Sequence, residues 1–468
     1  MNQTCIMKYV ITLLALSLSL TTLAQTKNSF FEKGNKLLNK KDYKGAKEAF
    51  SAALEQDSTL DDAYYNRALA EFNLKEMDKA LLDFKIYNVL NPQDEDTMNF
   101  ISFIYYYNDD YASLKASIQQ FMNISSTEYN SNYFLGYACY YLDEYKPAIE
   151  YLTNQLTLEP NNQDALFYRA KSYMQVEEAD QAEQDLTKLI ILKDDYEFAH
   201  YYRALLRKDR ENYLPALEDI HKSIQQSPND TDFLKLRGEI QEALGDSLAA
   251  KADYDRAITL KGSNLLDVYY KRGLLNYFQL GNEDAAIEDL SEAIKGNTKR
   301  FPIAYFVRAI LYTNALKYEQ ADEDFKSVTE FDPTNEDTYY YWAVLKLKME
   351  QYDESMRMIT IYLNQDSISD GNQALAHQLV GNIYVQRKNY ALALQNLEKS
   401  LALDDENAEA HFWLAKTLLA LKRNEEACKE FHRALDLGYE DAEVELQESC
   451  GYSIPLEEDE DDSFSTPQ

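Results

Sequence analysis

Apolar residues recur along most of this chain at intervals of three and four, the signature of one helical face, and short polar breaks interrupt them, as at Lys40-Lys41-Asp42-Tyr43 and Leu244-Gly245-Asp246. One column sets the period. Ala46, Ala80, Leu114, Ala148, Ala182, Ala216 and Ala250 stand 34 residues apart. Four residues after each comes a bulky apolar residue: Phe50, Phe84, Ile118, Leu152, Leu186, Ile220 and Tyr254. Twelve before each comes a small one: Gly34, Ala68, Ser102, Gly136, Ala170, Ala204 and Gly238. After short insertions near Asn297–Phe301 and Ser367–Gln373 the frame continues to Ala415, Ala427 and Phe431. A period of this length decides the architecture.

Proline placement supports two helices per copy. Pro92, Pro160, Pro228 and Pro333 fall between copies, whereas Pro147 and Pro215 fall in the first turn of a second helix, where a missing N–H is harmless. The small slot then marks where paired helices cross, because only Gly, Ala or Ser lets the backbones come close.

The slots in Gly34…Tyr43-x-x-Ala46-x-x-x-Phe50-x-x-Ala53, with copies closed as at Leu90-Asn91-Pro92, resemble the tetratricopeptide repeat family. Leu114 in the third copy and Ser355 in the tenth depart from the alanine slot. The resemblance implies an all-α fold, a right-handed superhelical α-solenoid with a concave groove lined by first helices. Twelve repeats are expected at 27–60, 61–94, 95–128, 129–162, 163–196, 197–230, 231–264, 265–301, 302–335, 336–373, 374–407 and 408–441, followed by a capping helix at 440–450. In such an array each repeat leans only on its neighbours, so stability is a sum of local and nearest-neighbour contributions.

Charge adds a pairing. Arginine precedes the small slot at Arg67, Arg169, Arg203, Arg237, Arg272 and Arg308, and aspartate precedes the bulky slot in the same copies, at Asp83, Asp185, Asp219, Asp253, Asp289 and Asp324. Copies without the arginine lack the aspartate. This co-occurrence predicts a half-buried bidentate bond between the two helices of one repeat. A row of groove charges for a ligand is the competing reading.

If first helices line the groove, Tyr65, Tyr133, Phe167 and Tyr201, three residues before the small slot, point into it, as do Tyr106 and Tyr140, four after. Phe103, Tyr107, Tyr137 and Tyr141 crowd the same stretch. Tyrosine is amphipathic and loses little entropy on ordering, so such a cluster suits capture of a protein or extended peptide. The same aromatics can instead stiffen the stack. The two-carboxylate clamp of some family members does not carry over, since Phe31, Asn35, Asn66, Asp96 and Phe100 leave no cationic pair.

The chain has 468 residues, with 80 acidic against 47 basic side chains, a formal net charge of −33. Nucleic acid is excluded as the main partner, because phosphate binding needs a basic face. Acidic groove residues such as Asp96, Asp164, Asp232 and Glu239 favour a neutral to basic partner. Lys8, the apolar run Tyr9–Leu20 and Leu23-Ala24-Gln25 read as a signal peptide over 1–24, against the alternative of an uncleaved anchor. No second stretch spans a membrane. The expectation is an exported protein, in the periplasm or outside a Gram-negative-type bacterium. Residues 455–468 read as an acidic disordered tail.

Cys428 and Cys450 are expected to form a disulfide at the open end of the array, with two buried free thiols as the alternative; Cys139 reads as core. His200, His377 and His411 occupy a bulky core slot. No metal, cofactor or catalytic motif is present, and the repeats leave no room for a catalytic domain. The expected function is non-catalytic: a protein-interaction scaffold. The alternatives are a glycan-binding module that stacks sugars on groove tyrosines, and a periplasmic co-chaperone of an envelope assembly or secretion machine. Against the first, Trp342 and Trp413 lie far apart in sequence.

Overall fold

A left-handed residue closes the turn inside every helix pair. The first helix, α1 (29–39), ends at Lys40, and α2 (Tyr43–Gln56) follows after two residues. Lys41 takes φ 61°, which lets the N–H of Asp42 reach back to the carbonyl of Leu37 at 3.0 Å and satisfy one of the helix's orphan acceptors. The same kink recurs at Lys75, Asp109, Asp143, Glu177, Glu211, Gly245, Gly281, Leu316, Glu350, Lys388 and Lys422. Only two of these are glycine, so side chains tolerate the left-handed position throughout. Asp42, Asp94, Asn162, Asp246, Asn282 and Asn389 then cap the next helix with a side-chain oxygen.

The computed structural model describes residues 29–122, 131–296, 299–365 and 368–451, which hold 25 α-helices and no strand. We number the helices α1–α25 in chain order. The signal peptide expected at 1–24 and the acidic tail expected at 455–468 lie outside the described residues. The chain forms two units, 1–228 and 229–468. In each, helices alternate as antiparallel pairs, and the second helix of one pair also packs on the first helix of the next.

The small slot behaves as its residue types require. A Cβ added at Gly34 would lie 2.5 Å from the Phe50 ring, and one at Gly238 would lie 2.5 Å from the Tyr254 ring. The bulky residue of the second helix therefore rests directly on the first helix's backbone. Phe50, Phe84, Leu152, Leu186, Tyr254, Phe325 and Phe431 are fully buried in this way. Each contributes about 1.5–3 kcal/mol of transfer free energy. Tyr254 carries a hydroxyl into that position and donates it to Glu242 Oε2 at 2.9 Å.

All six arginine–aspartate pairs form within single repeats. Each guanidinium gives Nε and Nη2 to the two carboxylate oxygens of its partner, at 2.5–2.9 Å. The aspartates are nearly buried and the arginines half-buried. The remaining nitrogen reaches the second helix of the preceding repeat: Arg67 Nη1 to Ser51 at 3.3 Å, Arg169 to Thr153 at 3.1 Å, Arg203 to Thr187 at 3.1 Å and Arg308 to Ser291 at 2.9 Å. Arg272 likewise reaches Asp255. The network is structural, and its cross-repeat arm was not legible from the slot pairing alone. Asp219 collects most, accepting also from Arg207 Nη1 at 2.9 Å and lying 3.0 Å from His200 Nδ1. Burial alone would raise its carboxyl, but His200, Arg203 and Arg207 hold it below the usual range.

Helix α21 runs Asp370–Gln386, starting four residues before the expected repeat start at 374, because Ser369 caps it by accepting from the N–H of Asn372. The insertion there is absorbed as an extra helical turn. At the other end, α24 (Asn424–Asp436) places Cys428 in its second turn. Cys428 is bonded to Cys450, the last residue of the capping helix α25 (Asp441–Cys450), across a Cα–Cα distance of 5.8 Å. Ala442 and Leu446 of that helix close over Phe412 and Phe431. Cys139 is a buried thiol, and burial pushes it up to about 12.

Candidate aromatic interaction surface

The tyrosine-rich first helices of the first unit are α5 (Glu95–Tyr107), α7 (Ser131–Tyr141), α9 (Gln163–Gln175) and α11 (Ala199–Asp209). On α7, Tyr133, Tyr137, Tyr140 and Tyr141 recur at helical spacing, so they form one stripe that meets the stripes of the neighbouring repeats. Tyr137 is the hub. Its ring centroid lies 4.8 Å from each of Tyr106, Tyr141 and Tyr168, and 6.1 Å from Tyr133. Tyr140 meets Tyr141 at 5.2 Å and Tyr168 at 5.5 Å, and Tyr111 stacks on Tyr141 at 4.4 Å.

Contacts extend this network both ways. Phe103 lies 6.4 Å from Tyr106 and 5.5 Å from Phe72; Phe100 joins Phe72 to Phe84, on which Tyr65 sits at 5.8 Å. In the other direction Phe167 touches Tyr168 and Tyr202, and Tyr202 touches Tyr201. Nine of the ten residues singled out in the sequence thus belong to one ring-to-ring chain. Tyr107 does not; it is 58% exposed and stands outside the network.

Burial divides the candidates. Tyr137 and Phe167 are only 7% exposed, so they serve as packing and not as ligand contacts. Neighbouring rings close over them from both sides. Phe103 and Tyr141 are about two-fifths exposed, while Tyr65, Tyr106, Tyr133, Tyr140 and Tyr201 are half-buried. Ring pairs of this kind contribute about 0.5–1.5 kcal/mol each, so the stripe stiffens the stack while leaving one side open. Burial raises the phenols of Tyr133, Tyr137, Tyr140 and Tyr168, which remain neutral hydrogen-bonding groups at physiological pH.

Lys171 joins these rings, although it was not among the residues that the sequence pattern singled out. Its Nζ stands 4.8 Å from the Tyr140 ring, 4.9 Å from Tyr202, 5.4 Å from Phe167 and 5.8 Å from Tyr168. No described carboxylate pairs with it, and burial lowers its ammonium below the usual lysine range. Ring quadrupoles supply its stabilisation, about 0.5–2 kcal/mol per well-placed contact. Lys171 follows the small slot directly, as Tyr137 does in the preceding repeat; that shared column was the available signal. The acids expected in the groove are partly engaged. Asp164 accepts from the Tyr196 hydroxyl at 2.5 Å, and Asp232 of the second unit accepts from Asn264 at 2.8 Å.

Family profiles described as tetratricopeptide or TPR repeats match residues 31–95, 129–162, 266–296, 381–422 and 408–437, in frame with the helix pairs. The chain is a tetratricopeptide-repeat protein. Among curated relatives, these repeats are 25% identical over 206 residues to the human mitochondrial import receptor subunit TOM70, covering 43% of this chain and 33% of the receptor. They are 25% identical over 237 residues to the TPR repeat-containing protein MJ1428 of Methanocaldococcus jannaschii, covering 48% of this chain and 40% of that protein. The repeat array therefore spans a third to two-fifths of the length of these relatives. Among solved structures, the C-terminal part of a TPR repeat-containing protein from Cytophaga hutchinsonii is similar at 19% identity and TM-score 0.45, over 53% of this chain and 99% of that one. Yeast Tom70 is similar at 18% identity and TM-score 0.33, over 91% and 97%. No described helix is long and apolar enough to cross a membrane.

Proposed function

We propose that this repeat protein is an exported, non-catalytic scaffold that holds an extended protein segment along the aromatic stripe of its second to sixth repeats. The single observation that carries this reading is the continuous chain of rings from Tyr65 to Tyr201, closed beneath by Tyr137 and Phe167 and open above at Phe103 and Tyr141. Rigid rings with polar tips give contact area at little entropic cost, which is what a binding hot spot needs. The net charge of −33 draws a neutral to basic partner at long range, and Lys171 donates to a carbonyl or carboxylate oxygen of that partner at one point. The presence among the relatives of a protein named as a mitochondrial import receptor subunit accords with the proposal. Export is supported by the N-terminal pattern of residues 1–24 and by a disulfide that an oxidising compartment sustains.

The test is cross-linking from a photoreactive residue placed at Tyr141 in the full chain, followed by mass spectrometry of the native envelope fraction. One discrete partner is expected, with capture falling at least tenfold in the Phe103→Ala, Tyr140→Ala variant while the circular dichroism is unchanged. Undiminished capture by that variant overturns the assignment.

A further inference from the structure

The second unit contains a cavity of about 490 Å³ between three first helices, α19 (Asp337–Lys348), α21 and α23 (Ala408–Ala420). It is far from the aromatic stripe in sequence, and its chemistry differs. Gln378 and Asn382 lie one helical turn apart on α21, with Gln386 a turn further, so three amides share one face. Gln378 is 3% exposed yet makes no hydrogen bond to any described residue, and it lines the cavity. Asn382 is 7% exposed, and only its Oδ1 is engaged, by Gln386 Nε2 at 3.4 Å. From α19 comes Tyr340, whose hydroxyl likewise has no described partner. From α23 come the Trp413 ring and Glu409, joined by a bond from indole Nε1 to Oε1 at 3.1 Å.

The free hydrogen-bonding positions of these groups face the cavity, so a ligand that displaces water there can take them up. Gln378 offers a donor and an acceptor side by side, Asn382 offers its donor, and Glu409 adds an acceptor fixed by the indole. The Trp413 indole lines the same cavity. This combination suits a ligand whose hydroxyls are both donors and acceptors, spaced closely around a ring with an apolar C–H face. An extended peptide fits less well, because its main chain offers one donor and one acceptor per residue, spaced about 3.3 Å apart and alternating in direction. The polar groups here converge from three helices on one volume, within the range of small-ligand pockets.

We propose that this cavity is a carbohydrate site that takes a neutral mono- or disaccharide unit, with Trp413 stacking on the sugar face and Gln378, Asn382 and Glu409 bonding its hydroxyls. Trp342 takes no part; it packs on Phe325 and donates Nε1 to Asp322. The site is independent of the protein-binding stripe, so either can fail without the other.

The chain has two tryptophans, of which only Trp413 borders the cavity, so fluorescence reports on it directly. The full-length protein is titrated with glucose, galactose, N-acetylglucosamine, maltose and cellobiose, and with a neutral Gly-Ser peptide, and saturation-transfer NMR is recorded on the same samples. At least one sugar is expected to give a saturable change that Gln378→Met, close in volume, weakens by about tenfold. If Gln378→Met proves unstable by circular dichroism, Glu409→Gln, at a half-buried site, serves instead. The proposal is overturned if no sugar gives a saturable change, if only the peptide does, or if a folded variant binds as tightly as the parent.

Discussion

Arg308 grips Asp324 through two parallel hydrogen bonds of 2.8 Å each and reaches with its third nitrogen to Ser291 of the repeat before. Removing one partner leaves the other charged, largely desolvated and unmatched. Asp324→Ala is expected to cost about 3–5 kcal/mol, read as a lowered urea midpoint. The double variant Arg308→Met, Asp324→Leu should recover most of that loss, because two apolar side chains impose no desolvation of charge. If the double variant is as damaged as the single one, the pair is not a desolvated ion pair of this kind.

Glu71 supplies a pH dependence with a definite sign. It is 6% exposed, its Oε2 has no hydrogen-bond partner, and burial followed by the charge of Asp83 pushes its carboxyl up to about 7. The folded state therefore holds a proton that the unfolded chain releases. Stability from this group is fully present below the unfolded carboxylate range and is lost as pH rises through 7. Arg67 and Lys47 face it and temper the shift. Glu71→Gln should be neutral near pH 4 and stabilising by about 2 kcal/mol near pH 8.5, as measured by denaturation at both pH values. An equal effect at both would show that Glu71 does not titrate across this range.

Leu316 occupies the left-handed turn position with φ 58° and is 69% exposed, so its side chain gains nothing from burial to offset the backbone cost. Leu316→Gly should raise stability by about 1 kcal/mol. Leu316→Ala keeps the Cβ and with it the strain, and should gain nothing. A shift in thermal midpoint for alanine equal to that for glycine would place the effect in the side chain instead.

The bond from Cys428 to Cys450 closes a loop of sequence separation 22 and ties α25 to α24. Cys450→Ser is expected to loosen the end of the array by about 3 kcal/mol. Hydrogen exchange should show α25 losing protection while the first unit keeps its own. Uniform protection of α25 with and without reductant would mean that Ala442 and Leu446 hold the cap unaided.

The period, the helix pairs and the six Arg–Asp bonds were legible in the chain because each depends on spacing within one repeat, which a fixed period repeats faithfully. The small slot at Gly34 and the bulky Phe50 resting on it are one geometric fact read at two positions. What spacing does not encode is how side chains of different repeats meet. Tyr137 and Tyr106 belong to the same crowded aromatic stretch, yet one is buried and the other half-open, because Tyr168 and Tyr141 crowd the first. Lys171 and Gln378 escaped notice for the same reason. A lysine beside alanine and a glutamine on a helix look like solvated surface until the rings of Tyr140 and Tyr202, or the indole of Trp413, arrive from adjoining repeats.

The guanidinium arm that crosses to the preceding repeat makes those arginines rivets between successive hairpins of a unit. The third and fourth repeats, where the tyrosines concentrate, have Ile101 and Leu135 at the riveted position and so send no such arm to the repeat before; Lys115 pairs with Glu144 across their shared seam instead, and Arg169 ties the fourth repeat to the fifth. Sliding past Ile101 or Leu135 breaks no guanidinium bond. Under tension or on engaging a ligand, the hairpins there can glide and re-nest while riveted ones hold station, which puts mechanical give at the very span proposed to do the gripping.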